Sequence, residues 1–119
     1  MAGEMVHFEL MVKDGDAAQA VWGGLFGWQF GPPMSPEMDY RMAQIDDKSG
    51  AAIAAGGEAK THPNVYLATD DIDASLAKVH DLGGEAGDKT PVPTMGWFAA
   101  CKDDQGTAFH LWQPDSAAA

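Results

Sequence analysis

From Val6 to Val12 the chain alternates, with Phe8, Leu10 and Val12 on one face and His7, Glu9 and Met11 on the other. A period of two predicts a strand. Asp14 and Asp16 then offer side-chain acceptors for a helix start, an Ala-rich stretch through Leu25 predicts the helix, and Gly27 supplies its stop. The same order returns further on. Val65, Leu67 and Thr69 alternate with Asn64, Tyr66 and Ala68; Asp71 and Asp73 cap; Leu76, Val79 and Leu82 form a helical stripe; Gly83 and Gly84 end it. Each half closes with short strand-like pieces, at Trp28 to Gly31, Tyr40 to Ile45 and Ala51 to Ala55, then at about Glu85 to Gly87, Trp97 to Lys102 and Ala108 to Trp112. Asp46 and Asp47, like Asp103 and Asp104, predict the turns between the last two strands of each half.

This order is an internal repeat. Sliding the 119 residues along themselves by 57 positions aligns 62 pairs, of which 14 are identical, against about five expected by chance for this composition. The identities include Leu10 with Leu67, Asp14 with Asp71, Asp16 with Asp73, Gly27 with Gly84 and Asp46 with Asp103. They fall on caps, helix stops and turns. Each half is therefore a β-α-β-β-β module, and the fold class is α+β. A module with one helix on one face of a small sheet must find cover for its other face. Two modules set facing each other make a cup-shaped mixed sheet with the helices outside. The expected organisation is one domain over residues 1–119, with module one at about 5–57, module two at about 62–114, Gly56 to Pro63 as linker and Gln113 to Ala119 as a loose tail.

Composition narrows the functions. Hydrophobic residues make up 45% and charged residues 21% of the chain, which excludes wholesale disorder. No apolar run approaches the roughly 18 residues of a membrane span, and the first residues lack the basic and apolar parts of a signal peptide. With a single Cys101, which cannot pair within the chain, these features predict a cytoplasmic protein. Eighteen Asp and Glu against seven Lys and Arg give a net charge of -11. That charge repels phosphate backbones and anionic lipid, so neither nucleic acid nor membrane is an expected partner.

Four sequence stretches identify a family. Val6-His7-Phe8-Glu9 opens module one, Leu25-Phe26-Gly27-Trp28 ends its helix, Asp70-Asp71-Ile72-Asp73 enters module two and Phe109-His110-Leu111-Trp112 closes it. In that order and spacing, over residues 5–113, the chain resembles the vicinal-oxygen-chelate superfamily of glyoxalase I, extradiol dioxygenases, fosfomycin resistance enzymes and bleomycin resistance proteins. The resemblance implies the fold, with activity left to the site. Metal-dependent members carry ligands on the first and last strand of each module. The matching positions here are His7, Asn64, His110 and Ile53, and a one-residue shift of the last offers Ala52 or Ala54, so that slot holds no donor. A divalent centre commonly takes three protein ligands drawn from His, Asp, Glu or Cys. Glu9, on the face of His7, is the third donor if His7, Glu9 and His110 are to hold a metal.

The remaining inward positions suit a ligand. Trp112 shares a strand face with His110, and Tyr66 shares one with Asn64; Tyr40 and Trp97, related by the repeat, offer a second aromatic pair whose facing the sequence leaves open. Paired rings stack flat molecules and attract cations. Met34, Met38 and Met42 lie in the Pro-rich loop before the second strand of module one, where adaptable thioethers serve either a lid, through Met38, or a dimer contact. Trp22 and Trp28 are expected as packing residues, Cys101 as a buried strand thiol, and His62 and His80 as solvated. No phosphate loop or nucleophile triad is present.

Two readings follow. In the first, the chain is a binding protein of the antibiotic-resistance type, without metal or other cofactor, that sequesters a flat, largely apolar or cationic natural product using His7, Glu9, Met38, Tyr40, Asn64, Tyr66, Trp97, His110 and Trp112. In the second, it is a metal-dependent lyase, isomerase or dioxygenase built on His7 and His110. The resemblance implies a homodimer in either case.

Overall fold

The computed structural model describes residues 2–119 and contains eight strands and two helices. They fall into two compact units, Val6–Asn64 and Val65–Ala119, the latter taking in residues 2–5. The α+β class with mixed strand pairing is as expected.

In module one, β1 (Met5–Val12) leads to α1 (Gly15–Phe26), then β2 (Tyr40–Gln44) and β3 (Gly50–Ala55). Asp14 caps α1 by accepting from the Ala17 N–H at 3.1 Å, and Gly27, with φ of 72°, takes the left-handed turn that ends it. β3 pairs parallel with β1 and antiparallel with β2. The registers set His7 opposite Gly50 and Glu9 opposite Ala52, with Tyr40 opposite Ala54. One face of this sheet therefore carries His7, Glu9, Met11, Tyr40 and Met42. The other carries Leu10, Ala43, Ala51 and Ile53, all buried, beneath α1. The fully buried Ile53 side chain contributes about 1.5 to 3 kcal/mol of transfer free energy.

Trp28 to Gly31 is not a strand. Among the described residues, its one backbone hydrogen bond to a strand runs from the Gly31 N–H to the Met42 carbonyl at 2.9 Å. Trp28 is instead the centre of an aromatic cluster, stacked on Trp22 with ring centroids 5.8 Å apart and meeting Phe26 at 4.9 Å and Phe8 at 6.0 Å. This packing fixes the segment in place of a ladder.

Module two runs β4 (Asn64–Ala68), α2 (Ile72–Asp81), β5 (Glu85–Ala86), β6 (Thr90–Val92), β7 (Gly96–Lys102) and β8 (Ala108–Pro114). Asp71 caps α2 through the Ala74 N–H, and the Gly84 N–H closes its end on the Val79 carbonyl. β8 pairs parallel with β4 and antiparallel with β7, which also pairs β5 and β6. The sequence pattern missed β6, a three-residue piece containing Pro91, because proline weakens any strand signal. Ile72, Ala99, Cys101 and Leu111 form the core under α2, with Leu76, Val79, Trp97 and Phe109 packed against them. The turns fall where the paired aspartates predict: Asp46 accepts from the Lys48 and Ser49 N–H groups, and Asp103 from those of Gln105 and Thr107.

The C-terminal segment is held rather than loose. Gln113 lies in β8 and its side chain accepts from the Ile72 N–H at 2.8 Å; Asp115 accepts from the Trp97 indole N–H at 3.0 Å; the Thr94 N–H bonds the carbonyl of Ala118, which is buried.

Candidate functional site

On the helix-free face of module one, four side chains from three segments are joined. The Tyr40 hydroxyl donates to Glu9 Oε2 at 2.6 Å, and His7 Nε2 lies 2.8 Å from the same hydroxyl oxygen. Tyrosine has one hydroxyl proton. Because that proton goes to Glu9, His7 must present an Nε2–H, and the proton position on the ring follows from the network. Asn64 donates its amide to Glu9 Oε1 at 3.2 Å and to the Met11 sulfur at 3.5 Å. Glu9 thus receives a donor on each oxygen. Burial holds the His7 pKa below its ordinary value, with the charge of Glu9 acting in the opposite direction. The imidazole donates its Nε2–H to Tyr40, which in turn donates to Glu9, so the three groups form one chain along which a proton can be relayed.

The facing of Tyr40 depends on its neighbour. Arg41 points to the opposite side, 9% exposed, where it bonds Asp39 at 2.7 and 3.1 Å, Asp16 at 2.9 Å and Gln19 at 2.9 Å. Donating to Asp39 and then to Asp16 raises its pKa further. This clamp ties β2 to the first turns of α1, and alternation then turns Tyr40 toward His7. Gly15 makes the close approach possible, since a Cβ there would stand 2.6 Å from Asp39 Oδ2 and 2.9 Å from Arg41 Nη2. Sequence reasoning missed Arg41, whose only signal was a lone cation in an acidic stretch.

The helix-free face of module two is aromatic. Tyr66 stacks on His110 with centroids 4.5 Å apart and an interplanar angle of 26°; Phe98 stands 6.4 Å from Tyr66, edge to face, and 6.3 Å from His110. Phe98 is directly opposite Trp112 across β7 and β8. Trp112 lies down against Gly96, where an added Cβ would come within 2.7 Å of the indole. Trp97 does not join this group. It packs on the α2 side, bonded to Asp115 and covered by the Lys89 ammonium 4.4 Å from its ring, so the ring that matches Tyr40 across the repeat faces the core. Phe98 takes the expected place of Trp97. Beginning β7 at Gly96 and pairing it with β8 would have found it; the 57-residue shift pointed to its neighbour.

Other expected residues lie elsewhere. Met38 is 55% exposed, bridged to Ser35 in the loop before β2. Cys101 is buried under α2, and burial raises its thiol pKa, the Gly87 N–H opposing. His62 and His80 are exposed, as expected.

The registers also settle the fourth ligand slot. Tyr66 follows Glu9 by the repeat length, and their partners are His110 and Ala52, so Ala52 and not Ile53 is the counterpart of His110. Ile53 lies on the helix side, fully buried. Among the described residues, no three His, Cys, Asp or Glu side chains come together. With Ala52 in the slot, and Glu9 already taken up by Tyr40 and Asn64, the donors do not fit a three-ligand divalent centre.

No family model matches the chain. It is 28% identical over 116 residues to CFP32 of Mycobacterium tuberculosis, which is named as a glyoxylase, covering 94% of this chain and 44% of that protein. It is 31% identical over 130 residues to the anthracycline biosynthesis protein DnrV of Streptomyces peucetius, covering 93% and 47%. The chain thus spans less than half the length of these relatives. Its fold matches a methylmalonyl-CoA epimerase in complex with methylmalonyl-CoA, with a TM-score of 0.78 at 15% identity and coverage of 100% and 99%. It also matches a glyoxalase/bleomycin resistance protein/dioxygenase superfamily member from Vibrio splendidus, with a TM-score of 0.70 at 13% identity and coverage of 95% and 99%. The chain thus has the fold of this epimerase and of this glyoxalase/bleomycin resistance protein/dioxygenase superfamily member.

Proposed function

We propose that this chain is a small-molecule-binding protein that takes a planar, largely apolar ligand on the helix-free face of module two and sequesters it without metal chemistry. The observation that carries the proposal is the Tyr66–His110 stack at 4.5 Å, flanked by Phe98 and continued across the strand pair by Trp112. Rings held in fixed planes by packing bind a flat partner with little ordering cost, and each ring–ring contact adds about 0.5 to 1.5 kcal/mol beyond burial. Two such contacts correspond to roughly five- to 150-fold in Kd. Ala52, standing beside Glu9 where a further metal donor would be needed, supports the absence of a metal. The name of DnrV, an anthracycline biosynthesis protein, supports a natural product as the ligand class. A homodimer in the cytoplasm belongs to the same proposal.

A second reading is proton-transfer catalysis through the His7–Tyr40–Glu9 network of module one. The likeness to the epimerase and the glyoxylase name of CFP32 favour it. One experiment separates the two. Tryptophan fluorescence is titrated with a panel of aromatic antibiotics, elemental analysis is run on protein purified without chelator, and the ligand is recovered afterwards. Saturable quenching that Trp112→Ala weakens at least tenfold, with unaltered ligand and no stoichiometric metal, supports sequestration. Conversion of the ligand supports the enzyme.

A further inference from the structure

The helix-free face of module two changes character along its strands. The first cross-strand pair, Phe98 and Trp112, is large on both sides; the next, Ala100 and His110, is small on one; the third is Lys102 and Ala108. Successive pairs are roughly 6.6 to 7 Å apart along a strand. Beyond the aromatic rows the two alanines leave a hollow of about 210 Å³, lined by Glu85, Gly87, Ala100, Lys102, Ala108 and His110, with the alternate positions Ala86, Cys101 and Phe109 completing it. Backbone sets its floor: the Gly87 N–H bonds the Ala100 carbonyl at 2.8 Å, and a Cβ on Gly87 would fall within 2.2 Å of that oxygen.

We infer that this hollow is a subsite for a single uncharged aryl ring carried as a substituent on the planar ligand, and that Ala100 and Ala108 set the selectivity for it. The inference rests on the binding reading above. His110 connects the two parts, since it stacks on Tyr66 and also lines the hollow. A ligand lying on the platform reaches the hollow over His110. Size fixes the occupant: a cavity of about 150 Å³ accepts benzene, so 210 Å³ holds one six-membered ring with a small group attached. Charge fixes its polarity. Glu85 and Lys102 stand directly opposite each other across β5 and β7 at this end, so their charges offset and favour neither an anionic nor a cationic group. The alanine walls supply apolar contact.

The test uses the full chain with quinoline and 2-phenylquinoline, which are both uncharged at pH 7.5 and differ by one ring. Binding is measured by calorimetry on the wild type, Ala100→Leu and Ala108→Leu, with circular dichroism melts to show that each variant folds. Both alanines are exposed positions, so added carbons enter the hollow rather than the core. We expect the wild type to prefer 2-phenylquinoline by at least tenfold, and each variant to lose at least fivefold of that preference. An undiminished preference in the folded variants, or no binding of 2-phenylquinoline to the wild type, overturns the subsite. The platform is judged separately: quinoline binding unaffected by Trp112→Leu and by Tyr66→Leu overturns the platform reading, whatever the alanine variants do.

Discussion

The Tyr40 hydroxyl donates to Glu9 Oε2 at 2.6 Å while taking the Nε2–H of His7, so one phenol satisfies a carboxylate and an imidazole at once. Replacing Tyr40 by Phe leaves Glu9 short of a donor and His7 short of an acceptor in a half-buried setting. Unmet polar groups of this kind cost about 1 to 3 kcal/mol. Urea unfolding of Tyr40→Phe should show that loss with an unchanged m-value, and an unaltered midpoint would mean that water replaces the hydroxyl at no cost.

Stability should fall with pH in two separate windows. The folded His7 titrates below its ordinary 6.5 because burial disfavours the charged ring, so the folded state holds fewer protons on it than the unfolded chain. Its contribution is complete above about pH 6.5 and is lost as pH falls from there toward the lower folded value. Asp46, Asp103 and Asp115 are held below their ordinary 3.8, chiefly by backbone N–H donors. Their contribution is present above that value and lost as pH drops through the folded pKa values. Unfolding free energies measured from pH 7.5 to 3 should show both declines, and His7→Gln should remove only the upper one.

Gly96 is expected to tolerate no side chain. A Cβ there would stand 2.3 Å from the Gln113 carbonyl oxygen and 2.7 Å from the Trp112 ring, and overpacking costs about 1 to 3 kcal/mol. Gly96→Ala should lower the thermal midpoint and shift Trp112 emission as the indole is lifted. A variant with wild-type melting and spectrum would show that Trp112 does not lie as described.

Cys101 should be inert in the folded protein. Its side chain lies under α2 with its pKa raised by burial, and the thiolate is the reactive form. Labelling with a chromogenic disulfide at pH 8 should be slow in buffer and complete within minutes in denaturant. Fast labelling of the folded chain would contradict the burial.

The strands that open each module, both helix caps and the paired-aspartate turns were legible because each is a local signal. Asp14 reaches only to Ala17 and Asp46 only to Ser49. The repeat added the module order, since 57 residues apart the same marks return. The site was only partly legible. Alternation outward from clear strands places His7, Glu9, Asn64, Tyr66, His110 and Trp112 on the helix-free faces of their modules, as the registers do, whereas the repeat points to Trp97 rather than Phe98 because it aligns Trp97 with Tyr40.

What the amino-acid order determined by itself was the periodicity within each segment, because side-chain alternation and capping involve neighbours a few residues apart. Tertiary structure decided which segments meet and in what register. Tyr40 finds partners 31 and 33 residues away, and Ala52 rather than Ile53 stands opposite Glu9 because buried apolar area under α1 selects that pairing. A one-residue slip would turn every side chain of a strand to the other face, so the chemistry presented at the site is set by packing between distant segments.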